Sequence, residues 1–410
     1  RLFVRRGMKL RAFLRLNADG SVGLFAIGFP CDITEFDPRG ANEAGFPTSQ
    51  DYRRINPAYF DRVDLRVQHL VDQGMVPNIL GTWGYYLPWF GQENMRRYWR
   101  YLIARYGAYP VTWTVAGETT LTYYLLEPEQ NASALRTQRD GWAEVARYIK
   151  KTDPFQRILT AHPGPNSGGF QPISDMSLLD IIMVQPGHRG WDDLPSAIGH
   201  LKTAQEKFPD RPVMQGEICF EGMHGGGSGA KLQRILFWTN MLSGAAGHCY
   251  GADAIWQFNT EEELFGASPS GHTWGNFTWE EARQWKGSYY VGLGRKILRR
   301  FDWHRFECHP EWVDPVADES DVQKPYAAGI PGEIRLFYFP RGLMPWGRRA
   351  TVRNLDRQSV YEASFIDPMT GDEYPIEDAI ENTEQWRAPP APILQDWLLV
   401  LKKQTSKPRN

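Results

Sequence analysis

Cysteine is scarce in this 410-residue chain: Cys31, Cys219, Cys249 and Cys308 are the only four. None belongs to a CxxC pair, which argues against a structural zinc site. Four scattered thiols in so long a chain read as free side chains rather than a disulfide framework. A charge excess is also missing, with 46 Lys and Arg against 48 Asp and Glu and no basic block. That argues against a nucleic-acid protein that tracks phosphates. No run of about 18 uninterrupted apolar residues occurs, so no membrane-spanning helix is expected. The basic stretch Arg1–Arg6 is not followed by the apolar core of a secretory signal. Gly225, Gly226 and Gly227 make a flexible run with no phosphate-cradle pattern after it, so no nucleotide role is assigned.

What is abundant is aromatic side chains and strand-like runs. Phe, Tyr and Trp number 21, 18 and 16, while 42% hydrophobic and 23% charged content is ordinary for a folded globule. Short apolar runs recur at Gly23–Phe29, Met75–Trp83, Val111–Glu118, Arg157–Gly164, Ile181–His188, Pro212–Phe220 and Ala245–Ala252. From the second onward their starts lie 36, 46, 24, 31 and 33 residues apart. Continuous rather than alternating apolar runs suit strands buried on both faces, as in a parallel sheet. The segments between them, Pro57–Gln73, Asn94–Tyr106, Arg139–Lys151 and Ser196–Phe208, carry helical spacing. Strand–helix units of this length point to a (β/α)8 barrel or a doubly wound sheet. Seven runs are convincing, and Arg11–Leu16 is the remaining candidate for an eighth strand. Either the first strand is atypical or incomplete, or the natural protein begins upstream.

Near residue 300 the pattern changes. Ile334–Phe339, Arg349–Arg353, Glu362–Ile366 and Trp397–Leu401 read as short strands, and Asp367–Gly371 as a turn. The expected architecture is an α/β chain, a (β/α)8 TIM barrel over residues 1–300 and an all-β sandwich over 301–410. Gly287–Arg300 reads as the last barrel helix.

In such a barrel function sits at the C-terminal ends of the strands. The third run ends on Glu118 and the sixth carries Glu217, each preceded by glycine. With Gly23–Phe29 as strand 2, they would end strands 4 and 7, on opposite sides of the barrel. Two carboxylates across a cleft are what glycosidic bond hydrolysis needs: one protonated acid for the leaving oxygen and one ionised nucleophile or base. Glu221 is the rival for the second carboxylate. Trp83, Tyr85, His162, Gln185, His188, Tyr250 and Trp256 fall at or after strand ends and are candidates to line a sugar subsite, with Trp89 and Tyr123 nearby. Each could equally be a packing residue or a hydrogen-bonded core histidine. Asp32, Glu35 and Asp37 follow the first run, where Asp32 is a candidate sugar ligand; solvated loop carboxylates are the plainer reading, a cation site the other. No cofactor or metal is called for.

These segments resemble the apiosidase-like glycoside hydrolases (domain of unknown function 4038, related to glycoside hydrolase family 140), within the clan A type of barrel. The resemblance rests on Ile55–Asp64, Gly81–Trp89, Arg97–Glu118, Ile158–Pro165, Ile181–His188, Pro212–Gly222 and Gly244–Phe258, in the family order. Tyr338–Pro340, Ile366–Gly371 and Asp396–Val400 resemble the β-sandwich often attached to that family, whose collagen-binding label is only a name. The resemblance implies a retaining mechanism with Glu118 as acid/base and Glu217 as nucleophile. It suggests a plant-polysaccharide side chain as substrate, and a secreted or periplasmic setting. Departures are Glu118 where many members have Asp, Gly117 where clan A barrels usually have Asn, and no match in residues 1–22 to the family's Gly-Asp-Thr strand.

The reading is thus a carbohydrate hydrolase with its carboxyl groups about 5–5.5 Å apart. The expected partner is a carbohydrate substrate, with neither nucleic acid nor membrane. Rival readings are a non-catalytic carbohydrate-binding barrel and a metal-dependent hydrolase using Asp32, Asp37 and a histidine. The sugar, exo or endo action and the oligomeric state are not written in the sequence.

Overall fold

The computed structural model describes residues 11–16, 22–28, 47–49, 51–123, 126–164, 170–223, 227–264, 274–318, 320–341 and 349–404. The chain divides into two compact units: Arg1–Leu159 with Ile173–Leu178 and Ser268–His272, and Thr160–Pro172 with Leu179–Ala267 and Thr273–Asn410.

In the first unit, β1 (Arg11–Leu16) and β2 (Val22–Gly28) pair antiparallel with each other, Arg11 opposite Gly28. This corrects the expectation that the Gly23–Phe29 run is a parallel barrel strand. Only residues 17–21 separate the two strands in sequence, too few for the long crossover that a parallel pair needs. The β/α pattern begins after it. Strands β3 (Asn78–Leu80) and β4 (Thr112–Thr114) are parallel, and β5 (Leu159–Thr160), whose first residue closes this unit's main segment and whose second opens the other's, follows β4 in the sheet order. The helices are Pro57–Asp72, Leu87–Tyr106 and Pro128–Thr152, each with proline in its first turn, where a missing N–H costs nothing. Gly91 interrupts the second helix at φ 70, a conformation that favours glycine. Trp99, Trp113 and Trp142 are fully buried; Trp99 meets Trp113 edge to face at 5.9 Å. The indole of Trp113 donates to Asp153 at 2.9 Å and that of Trp142 to the Gly84 carbonyl at 3.0 Å, so neither polar tip is stranded.

The second unit holds β6 (Ile182–Val184), β7 (Val213–Gln215) and β8 (Gly247–His248), which are parallel and adjacent in that order. Single parallel bridges, Gly187 to Ile218 and Glu221 to Ala252, continue the pairing beyond the strand ends. The helices Leu194–Lys207, Ala230–Leu242 and Lys286–Leu298 fall within two residues of the expected positions for the first and last.

Downstream lie β9 (Glu307–Cys308), β10 (Val313–Asp314), β11 (Tyr326–Ile330), β12 (Ile334–Phe339), β13 (Thr351–Val352), β14 (Tyr361–Ile366), β15 (Glu373–Ile380), β16 (Trp386–Arg387) and β17 (Trp397–Lys403). They build a six-stranded antiparallel sheet, β15-β14-β17-β12-β11-β9, and a three-stranded one, β10-β13-β16. The turn at Asp367–Gly371 forms as expected: Gly371 N–H returns to the Asp367 carbonyl, and Gly371 has φ 82. Successive residues of β12 and β17 point to opposite faces. Leu336, Tyr338, Leu398 and Val400 join an apolar cluster with Ile218, Leu232, Leu236 and Ile297. Phe337, Phe339, Trp397 and Leu399 join a second cluster with Val313, Val352 and Ala388. One face of the large sheet therefore packs on the Ala230–Leu242 and Lys286–Leu298 helices, and the other on the small sheet. Among the described residues, no helix is long and apolar enough to cross a membrane.

Candidate active site

Glu217 stands two residues beyond β7, behind Gly216, where a Cβ would collide with the Met183 side chain at 2.0 Å. Its side chain is 16% exposed and receives three side-chain groups. His188 Nε2 lies 2.7 Å from Oε1, Gln185 Nε2 donates to Oε1 at 3.3 Å, and His162 Nε2 lies 3.0 Å from Oε2. They come from the ends of two strands or their extensions: His162 after β5, Gln185 and His188 after β6. Burial would raise the pKa of Glu217, but the hydrogen bonds and charges of His162 and His188 outweigh it and hold the carboxyl down at about 2. Glu217 is thus a carboxylate kept ionised, with its lone pairs directed at donors.

The backbone assigns the His188 tautomer. Phe220 N–H donates to His188 Nδ1 at 3.4 Å, so Nε2 carries the proton and donates to Glu217. The Phe220 ring meets the imidazole edge to face at 4.8 Å and fills the space over Gly251, where a Cβ would come within 2.2 Å of that ring. Asp193, fully buried, binds Arg189 N–H and its guanidinium and ties down the Gly187–Asp193 loop that carries His188. Cys219, at φ 41, holds a left-handed conformation uncommon outside glycine. Burial pushes the Cys249 thiol up to about 11, helped by the negative charge of Glu217, and Cys219 up to about 12. Both are protonated thiols at neutral pH. Cys219, Cys249 and Cys308 are free, as expected, and Cys31 lies outside the described residues.

Glu221, the rival carboxylate, has a different environment. Tyr250 OH donates to its Oε2 at 2.6 Å, and Gly287 N–H donates at 3.0 Å from the first turn of the Lys286–Leu298 helix. It satisfies one of that helix's orphan donors. Burial nevertheless raises its pKa, despite both hydrogen bonds. Tyr250 is thereby placed on Glu221, and Trp256, 41% exposed, meets Trp274 edge to face at 5.5 Å. Nothing in the sequence signalled the Glu221 cap, because its donor lies 66 residues away.

In the first unit, Glu118 follows β4 and Gly117. Its φ is 39, a strained conformation for a residue with a side chain. Trp83 bridges Gly117 in parallel, and its ring covers that glycine so closely that a Cβ there would lie 2.5 Å from it. Gly84 N–H donates to the Gly117 carbonyl at 2.6 Å, and a Cβ on Gly84 would meet the Glu118 carbonyl oxygen at 2.2 Å. Tyr85 stacks on Tyr86 with centroids 5.0 Å apart. Thus the structure gathers Glu217, His162, Gln185 and His188 in one cluster, Tyr250 with Glu221, and Trp83 with Gly117 beside Glu118. Asp32, with Glu35 and Asp37, lies outside the described residues. Among the described residues, no three His, Cys, Asp or Glu side chains group as metal ligands.

Solved structures share this fold. A protein described as "Glycoside hydrolase" aligns with TM-score 0.68 at 16% identity, over 95% of this chain and 83% of its own. A glycoside hydrolase family 5 protein from Bacteroides vulgatus ATCC 8482 aligns with TM-score 0.67 at 16% identity, over 96% and 81%. At that identity the likeness speaks to fold alone. No curated protein sequence matches the chain. The profile of the "Apiosidase-like, catalytic domain" matches residues 34–305, most of the chain, and the protein therefore belongs to this family of carbohydrate-active hydrolases.

Proposed function

We propose that the chain is a retaining glycoside hydrolase acting on a plant-type oligo- or polysaccharide, with Glu217 as nucleophile and Glu118 as acid/base. The observation that carries this reading is the set of three donors on Glu217. A nucleophilic carboxylate must be ionised and aimed before substrate arrives, and His162, His188 and Gln185 do both. The fold we assign is the (β/α)8 barrel, residues 1–300, with an accessory β-sandwich over 301–410. Support for it is the two sets of parallel strands followed by helices, β3 with β4 and β6 with β7 and β8, while the antiparallel β1–β2 pair stands outside that pattern.

In the first step a Glu217 oxygen attacks the anomeric carbon and the glycosidic bond breaks. Glu118 gives its proton to the departing oxygen, leaving a glycosyl ester on Glu217. In the second step Glu118 takes a proton from water, the resulting hydroxide attacks the anomeric carbon, and Glu217 leaves as a carboxylate. Two inversions give net retention. Strain at Glu118 and its close backing by Gly84 favour a fixed backbone position for the acid.

The test is labelling by a 2-deoxy-2-fluoro glycoside with a good leaving group, drawn from a sugar panel. The expected result is a covalent adduct on the peptide carrying Glu217, with the released sugar retaining its configuration by NMR. An adduct on Glu221, or inverted product, overturns the assignment. Sugar binding that survives in a chain with no hydrolysis, unaffected by Glu118→Gln and Glu217→Gln, would make it a binding barrel.

A further inference from the structure

Among the large aromatics of the first unit, Trp89 is out of pattern. Trp99, Trp113 and Trp142 are fully buried, whereas Trp89 is 42% exposed. Yet it is held in place. Tyr85, Tyr86 and Tyr123 meet its ring edge to face, with centroids 5.6, 5.2 and 4.9 Å away. Phe90, the next residue, is buried and stacks on Tyr52 at 4.3 Å, while Gly91 breaks the helix immediately afterwards. The exposed indole is therefore rigid rather than a side chain free to swing. Its neighbours lead back to Glu118: Tyr85 follows Gly84, which is packed against the Glu118 carbonyl, and Trp83 covers Gly117.

We propose that Trp89, braced by Tyr85 and Tyr123, is a stacking platform for a sugar ring on the leaving-group side of the scissile bond. This rests on Glu118 being the acid/base. A general acid hands its proton to the departing oxygen, so the sugar bearing that oxygen must lie beside it. The apolar face of a pyranose or furanose lies flat on an aromatic ring, and a pre-ordered ring binds it without paying to fix the side chain first. The inference names the substrate class more closely: an oligosaccharide with at least one further sugar beyond the bond cleaved, rather than a glycoside with a small aglycone.

The experiment compares wild type, Trp89→Ala and Trp89→Phe on two substrates. One is an oligosaccharide mixture from pectin, arabinan or xylan, whichever wild type cleaves. The other is the glycosyl fluoride of the sugar released, whose leaving group is too small to reach a platform. The expected result is a KM for the oligosaccharide raised about tenfold or more by Trp89→Ala, with kcat within about twofold, because binding common to ground and transition states is lost. Hydrolysis of the fluoride should be unchanged, and Trp89→Phe should recover most of the KM. Equal losses on both substrates, or none on either, overturn the proposal. If wild type cleaves none of the three mixtures, the hydrolase reading fails for these substrates, and calorimetric binding of the same oligosaccharides decides the platform separately. Binding weakened by Trp89→Ala retains it, and binding unaffected by Trp89→Ala, or no binding to wild type, ends it.

Discussion

His188 Nε2 sits 2.7 Å from Glu217 Oε1, while its Nδ1 faces the Phe220 N–H, so the ring is held between the carboxylate and the backbone. Together with His162 it lowers the pKa of a carboxyl group that burial alone would raise. Removing His188 should therefore move the acid limb of the kcat/KM profile to higher pH. Wild type should keep Glu217 ionised well below pH 4.5. His188→Ala should shift that limb upward by about 1 pH unit or more, with kcat down about 10–100-fold. A pH–rate series on a cleaved substrate checks this; an unmoved acid limb would remove His188 from the control of Glu217.

The same depressed group links folding to pH. The native pKa of about 2 lies below the ordinary 4.5, so the stability Glu217 contributes is complete above about pH 4.5 and is lost as pH falls toward 2. Glu221, raised in the native state, works in the opposite sense: its contribution is present at low pH and is lost as pH rises through its native pKa. Urea midpoints from pH 2 to 6 for wild type and Glu217→Gln should converge in their pH slopes only above about pH 4.5.

Glu221 and Glu217 should separate by kinetics. On the proposed roles, Glu217→Gln replaces the attacking carboxylate by an uncharged amide and should lower kcat about 10³-fold or more. Glu221→Gln keeps the shape of a side chain that binds Tyr250 and the Gly287 N–H. It should cost less than about tenfold in kcat and leave the NMR stereochemistry of the product unchanged. A larger effect at Glu221 than at Glu217 would exchange their roles.

Gly117→Ala should act without touching a carboxylate. Its new methyl would lie 2.5 Å from the Trp83 ring, in a well-packed site that must shift. The expected cost is about 1–3 kcal/mol of stability by denaturant unfolding. A kcat loss exceeding the fraction unfolded would show that the Trp83–Gly117 contact positions Glu118.

Arg234 and Asp396 form a bidentate ion pair, 2.8 and 2.6 Å, with side chains 4% and 1% exposed, and Tyr338 OH also donates to Asp396 at 2.8 Å. Arg234→Leu strands the carboxylate and should cost about 3–5 kcal/mol. Arg234→Leu with Asp396→Leu should recover part of that loss in a double-mutant cycle on denaturant midpoints. Additive losses would mean the two groups are not coupled.

Much of the architecture was readable because burial on both faces leaves continuous apolar runs. The strands at Ile182–Val184 and Val213–Gln215 lie inside such runs. The same rule misled at Gly23–Phe29, where a hairpin strand carries an equally apolar run, and periodicity cannot report which partner a strand takes. β15 escaped because Glu373–Ile380 is exposed over most of its length and carries Pro375, the marks of an edge strand. At the site, Glu217 was legible from its place after a strand. That His162 and His188 reach the carboxylate itself was not, since only tertiary structure joins residues so distant in sequence.

The apolar cluster that runs from Ile218 and Cys219, next to Glu217, through Leu236 to Leu336 and Val400 has an evolutionary consequence. The C-terminal sheet is no detachable appendage that recombination could drop or exchange at will. A descendant that lost it would bare the outer faces of two helices, and would have to rewrite Leu232, Leu236, Leu293 and Ile297 as polar residues in the same lineage. Insertions and swaps in this protein's history are accordingly expected at the exposed outer edge, around Glu373–Ile380, and not at the seam under β12 and β17.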